Sequence, residues 1–242
     1  MADSKQLILG TVQLGMTYGI NNQHGKPSLD ESIAILKTAQ TKGITTIDTA
    51  DQYGESYQII NQFHKSNPQF KVMSKFKLSS SVKVALKETL EKLTVPSLFN
   101  YSFHSFKDFY QYENFNEIKE LKDSGLVQNF GVSIYTNEEF ETAIKSDIID
   151  IIQTPFNLLD NFNFRGSLLN KAKAKNKKIH VRSVFLQGLF FKKDLPAKLD
   201  SLKQPLDLLC SISKENKMDL DELALRYCLS FPEIDGVLHW CR

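Results

Sequence analysis

Ile44-Thr-Thr-Ile-Asp48-Thr-Ala-Asp-Gln-Tyr53-Gly-Glu-Ser-Tyr57 is the stretch whose reading decides the fold. A short β-branched run ends at Asp48, a tyrosine follows five residues later, and a glycine comes next. Taken alone, this is a buried strand, a turn glycine and a packing tyrosine. It is equally a carboxylate at a strand end with a phenol on the next loop, which is an acid–base pair. The rest of the chain decides between the two.

Working outward, apolar runs alternate with amphipathic stretches. Strands are expected at 7–15, 44–47, 70–74, 97–103, 127–132, 148–153, 179–184 and 236–238. Helices are expected at 29–42, 55–65, 82–93, 113–124, 137–145, 167–175, 207–216 and 220–230, from apolar spacings of three and four. Near-continuous apolar strands imply burial on both faces, as in a parallel sheet. Eight such strands, regularly alternating with helices, predict a (β/α)8 TIM barrel in a single domain spanning 1–242, with no linker. No Gly-x-Gly-x-x-Gly follows a strand, which counts against a doubly wound dinucleotide fold.

Composition sets the outer bounds. The chain has 242 residues, 41% hydrophobic and 24% charged, with a net charge of +2. The lysines are spread, and the cluster at 171–178 reads as a solvated helix end, so nucleic acid is not an expected partner. Met1-Ala-Asp-Ser-Lys-Gln6 lacks the apolar core of a secretion signal, and no run reaches membrane-spanning length. Cys210, Cys228 and Cys241 lie far apart, in no metal-ligand spacing and in odd number. A cytoplasmic protein without a metal or a membrane partner is expected.

In such a barrel the chemistry sits at the C-terminal strand ends. Strand two ends at Asp48 with Tyr53 in its loop, strand three at Lys75, strand four at His104. Four polar side chains on three successive strands converge on one mouth. A phenol has a reference pKa of about 10, and a neighbouring ammonium is expected to lower it. Asp48 would hold Lys75 charged, His104 would orient a carbonyl oxygen, and Tyr53 would protonate that oxygen as it becomes an alkoxide. No side chain supplies a hydride, so a reduced nicotinamide is required.

At this point the chain resembles the aldo-keto reductases, in the stretch Ile47-Asp-Thr-Ala-Asp-Gln-Tyr-Gly-Glu-Ser56 and in the placement of Lys75 and His104. Leu9-Gly-Thr-Val-Gln-Leu-Gly15 resembles the family's first strand, Phe130-Gly-Val-Ser133 its fifth, and Ile152-Gln-Thr-Pro-Phe-Asn-Leu-Leu-Asp160 its sixth. The resemblance covers nearly the whole chain. Val181-Arg-Ser-Val-Phe-Leu-Gln-Gly-Leu189 looks like a bacterial branch tied to sugar pathways. The family resemblance implies an oxidoreductase that reduces an aldehyde or ketone with NADPH or NADH. Catalytic roles fall on Asp48, Tyr53, Lys75 and His104. Ser133 and Gln153 would hold the carboxamide, Gly15 and Thr49 would line the cofactor's path, and Phe185, Leu186 and Gly188 would follow its phosphates.

Three residues depart from the pattern. Ile134 replaces a common asparagine, Arg182 stands near the usual nicotinamide-stacking tyrosine, and Tyr57 replaces a common glutamate. A planar guanidinium can also stack. With few other charges near the mouth, a sugar-like or aliphatic aldehyde is the expected small-molecule substrate.

The family continues past strand eight with a glycine turn and a helix that binds the adenosine phosphate. Here the sequence reads Gly236-Val-Leu-His-Trp-Cys-Arg242. Dropping one base at codon 239 turns His-Trp-Cys into Ile or Thr, then Gly, then Val or Ala, so an inserted base is expected there. A barrel lacking its final helix would pair strand eight weakly with strand one and expose their outer faces. Weak cofactor binding and a monomer, or weak self-association, would follow. Two other readings stay open. One is a catalytically silent barrel of the same fold with weak or no cofactor binding. The other is a lyase forming a Schiff base on Lys75.

Overall fold

The computed structural model describes residues 7–78, 81–192 and 195–240. Met1–Gln6, Cys241 and Arg242, which entered the expectations above, lie outside the described residues. Eight parallel strands close into a barrel in sequence order: β1 (Leu7–Gly10), β2 (Thr46–Ala50), β3 (Lys71–Phe76), β4 (Leu98–Phe103), β5 (Val127–Ser133), β6 (Ile151–Pro155), β7 (Lys178–Arg182) and β8 (Gly236–Trp240). The surrounding helices are α1 (Val12–Gly15), α2 (Leu29–Thr41), α3 (Ser56–His64), α4 (Val82–Leu93), α5 (Phe106–Tyr110), α6 (Phe115–Asp123), α7 (Asn137–Lys145), α8 (Phe162–Ala174), α9 (Lys203–Glu215) and α10 (Leu220–Leu229). Two 3-10 segments, Leu186–Phe191 and Ala197–Leu202, fill the long connection after β7. No helix among the described residues is long and apolar enough to cross a membrane.

Local chemistry starts the helices where the sequence offers caps. Ser28 with Glu31 and Thr136 with Glu139 form reciprocal capping boxes, which satisfy otherwise orphaned first-turn N–H groups. Asn161 starts α8 five residues ahead of the expected 167, its side chain accepting from the Asn163 N–H at 3.0 Å. Gly166 makes that early turn possible, because a Cβ there would meet the Phe162 ring at 2.6 Å. The strand expected from 44 begins instead at Thr46. The Ile44 N–H is held by the Ala39 carbonyl at the end of α2, so Ile44 serves to leave the helix, while the Thr45 carbonyl accepts from the Lys71 N–H at 2.9 Å.

The main core lies between strands and helices, with Phe76 stacked on Tyr101 at 4.3 Å and Phe103, Phe130 and Phe140 fully buried. Each such aromatic contributes on the order of 2 kcal/mol by burial. A separate cluster, Ile8, Met73 and Leu238 with Phe99, packs together. Strand eight pairs with strand one despite the short tail. Leu7, Ile8, Leu9 and Gly10 pair in register with Val237, Leu238, His239 and Trp240. The outer residues Leu9 and Val237 are fully buried, against the expected exposure of those faces. Gly10 has no side chain, and the Trp240 indole seats on it; a Cβ at Gly10 would fall on the ring.

Candidate active site

Asp48 sits in the last part of β2 and Lys75 in the last part of β3, both buried. Lys75 Nζ is ion-paired with Asp48 Oδ1. The other carboxylate oxygen, Oδ2, accepts from Gln153 Nε2 at 3.0 Å across the barrel. Burial works against the Lys75 charge, but Asp48 and Tyr53 outweigh it and raise its pKa. A lysine held this firmly as an ammonium is a poor amine nucleophile, which argues against the Schiff-base reading.

Tyr53 rides on a loop that two glycines lock in place. Gly54 adopts φ +54°, a left-handed conformation that glycine takes without strain. A Cβ on Gly54 would strike the Gly15 carbonyl, and one on Gly15 would strike the Tyr53 carbonyl. The Glu55 N–H donates to Gly15 O at 3.1 Å. Just beyond, the Ser56 hydroxyl bridges Thr11 Oγ1 at 2.7 Å and Thr49 Oγ1 at 2.9 Å, all three buried. Gly15 and Thr49, expected along the cofactor's path, are thus engaged in holding the Tyr53 loop.

The loop delivers the phenol to the charged pair. Lys75 Nζ stands 5.2 Å from the Tyr53 ring centroid, and the His104 ring meets it edge-on at 5.8 Å. The structure therefore brings Asp48, Tyr53, Lys75 and His104 to one mouth. The electrostatics differ from the expectation in one respect. Burial raises the Tyr53 pKa; Lys75 and Arg182 pull it down and Asp48 pushes it up, and the net shift is upward, because desolvation of a phenolate outweighs the cation beside it. Burial, with Lys75 and Arg182 adding to it, lowers His104 to about 4, so its imidazole is neutral at pH 7. His104 Nδ1 is buried without a partner.

Ser133, at the end of β5, is in register with Gln153 in the middle of β6, both buried. With Nε2 on Asp48, Gln153 keeps its Oε1 to accept. Phe185 and Gly188 line a cavity of about 970 Å³, together with Gln13, Asn21, Lys192 and Trp240. Leu186 turns away to pack on the main core. Residues 186–188 all take positive φ, and the Gln187 carbonyl accepts from the Ile20 N–H at 3.0 Å, which fastens this segment to the loop after β1.

The three departures find structural explanations. Tyr57 points away from the mouth, its hydroxyl 2.5 Å from Ser74 Oγ. Ile134 is fully buried and offers its carbonyl to Arg182 Nη2 at 3.0 Å. Arg182 lays its guanidinium over the Tyr135 ring, 4.2 Å from the centroid. Residues that the sequence reading missed at the mouth are Tyr18, Tyr135 and Gln13. Tyr18 meets Trp240 edge-on at 5.2 Å. Tyr135, two residues past a strand-end serine, carried a positional signal. Tyr18 carried none, since its loop has no periodicity. Among the described residues, no cluster of His, Cys, Asp and Glu gathers as a metal site.

Comparison with solved structures returns the same barrel. An aldo-keto reductase of Bacillus halodurans in its holo form superposes with a TM-score of 0.80 at 21% identity, covering 98% of this chain and 82% of its own. A glycerol dehydrogenase of Gluconobacter oxydans gives 0.74 at 17% identity, covering 98% and 82%. A thermostable aldo-keto reductase solved with the inhibitor epalrestat gives 0.73 at 22%, covering 98% and 85%. At these identities the likeness concerns the fold. No curated protein matches the chain in sequence. The aldo/keto reductase family profile, however, matches residues 6–239, nearly the whole sequence, and the chain belongs to that family of oxidoreductases.

Proposed function

We propose that this protein reduces an aldehyde or ketone to an alcohol with a reduced nicotinamide, NADPH or NADH, and that Tyr53 donates the proton. The observation that carries the reading is that the Tyr53 ring lies 5.2 Å from the Lys75 ammonium and 5.8 Å from the neutral His104 imidazole.

The residues present fit a dinucleotide. The cavity of about 970 Å³ is in the range of cofactor sites. Gln13 Oε1 and Trp240 Nε1, on residues of its wall, are a buried acceptor and a buried donor without protein partners. Ser133 and the free Oε1 of Gln153 offer a pair of polar groups to a carboxamide, and Phe185 and Gly188 line the way to the phosphates.

When bound, the reduced nicotinamide supplies the hydride. The chain's residues do the rest. His104, being neutral, donates a hydrogen bond to the substrate oxygen from the nitrogen that carries its proton. Tyr53 keeps its proton at neutral pH because burial raises its pKa, and releases it to the oxygen as charge develops there. Lys75 stabilises the phenolate left behind, and Asp48, held from both sides, fixes Lys75.

Titration with NADPH followed by fluorescence tests this. Trp240 is the only tryptophan and lies on the cavity wall, so saturable quenching with energy transfer to the cofactor is expected. No saturable change with either NADPH or NADH would favour the catalytically silent barrel.

A further inference from the structure

Arg182 brings a cation to the mouth that the proton-transfer machinery does not use. Lys75 is matched by Asp48. Among the described residues, no carboxylate pairs with Arg182. Its guanidinium is held instead by neutral groups: the Ile134 carbonyl at 3.0 Å, the Ser183 hydroxyl at 3.4 Å and the Tyr135 ring at 4.2 Å. Those contacts engage two of five N–H donors and fix the fork in one orientation. Arg182 is half-buried at the C-terminal end of β7, on the same rim as the four acid–base residues. Its charge is felt at Tyr53, His104 and Tyr18 alike. Asp48 is matched by Lys75 and so is not a counter-charge for Arg182.

A partly desolvated cation without a counter-charge is unfavourable in the free protein. It becomes favourable when a ligand brings an oxyanion into the fork, where charge-assisted paired hydrogen bonds form. We infer that Arg182 is a specificity-determining residue that reads an oxyanion, carboxylate or phosphate, on the substrate at a point remote from its carbonyl carbon. The inference rests on the reductase reading above, and it narrows the expectation of a sugar-like or aliphatic aldehyde to one that carries an anion. It also gives Arg182 a different task from stacking on the nicotinamide, since one face of the guanidinium already lies on Tyr135.

The test compares matched aldehydes: succinate semialdehyde against its neutral amide, and glyceraldehyde phosphate against glyceraldehyde. With the full chain and saturating cofactor, kcat/KM for at least one anionic member exceeds that of its neutral partner by about tenfold or more. The ratio falls toward one in Arg182→Gln and is partly kept in Arg182→Lys. A preference for the carboxylate pair or for the phosphate pair identifies the source of the anion. A ratio near one for both pairs in the unaltered chain, or a ratio that survives Arg182→Gln, overturns the inference even if every aldehyde is reduced. Binding of succinate against succinamide, read by protein fluorescence, needs no turnover. Tighter succinate binding that Arg182→Gln abolishes would uphold the anion site even where no aldehyde is reduced, in which case the reductase reading fails. Equal binding of the two would overturn the inference.

Discussion

Gln153 Nε2 donates to Asp48 Oδ2 at 3.0 Å, joining the sixth strand to the second across the barrel mouth. With Lys75 on the other oxygen, the buried carboxylate is held from two sides. Gln153→Leu leaves a buried charged acceptor half-satisfied, and a loss of about 1–3 kcal/mol in denaturant unfolding is expected. An unchanged midpoint would show that water replaces the amide at no cost.

The Asp48–Lys75 pair predicts strong non-additivity. Either Asp48→Asn or Lys75→Met alone strands a buried charge and should cost about 3–5 kcal/mol. The double variant strands none, and should cost clearly less than the two single losses added together. Additive losses in the cycle would mean that the two charges are stabilised independently.

Two histidines, His180 buried and His104 partly so, predict a pH window for stability. Burial lowers both His104 and His180 to about 4, whereas an unfolded histidine titrates near 6.5. Between those values the unfolded chain binds more protons, so stability rises with pH through the window. It is complete above about 6.5 and is lost as pH falls through about 4. Each histidine accounts for roughly 3 kcal/mol of that change. Unfolding midpoints measured from pH 7 down to pH 4 should fall throughout, and His180→Gln should flatten part of the slope. A flat profile would contradict the burial of neutral imidazoles.

Gly15 and Gly54 interlock beneath Tyr53, so Gly15→Ala drives a methyl into the Tyr53 carbonyl. Backbone cannot swing aside as a side chain would. A stability loss of about 1–3 kcal/mol is expected, with a larger proportional fall in kcat than in cofactor affinity because the phenol is displaced. Turnover like that of the unaltered chain would show the loop to be more tolerant than its packing implies.

Much of this fold was legible in the sequence because eight buried strands carry nearly continuous apolar runs and their helices carry caps. The boundaries were less so: Ile44 has strand propensity, yet the end of α2 uses it. The meeting of Asp48, Tyr53, Lys75 and His104 could be read from strand order alone, since neighbouring strand ends must share a rim. The roles of Gly15 and Thr49 could not, because they depend on which backbone atoms approach within contact distance. Arg182 was visible as a departure. Its stacking on Tyr135 was not, because that contact joins the end of β7 to the loop after β5, and those strands are not neighbours.

The central claim is that Tyr53 delivers the proton. The most direct measurement is single-turnover carbonyl reduction by Tyr53→Phe beside the unaltered chain, with cofactor affinity determined for both. The account predicts that reduction is lost while affinity stays nearly unchanged, because the variant removes the proton and keeps the ring. Reduction by Tyr53→Phe at the rate of the unaltered chain would contradict it.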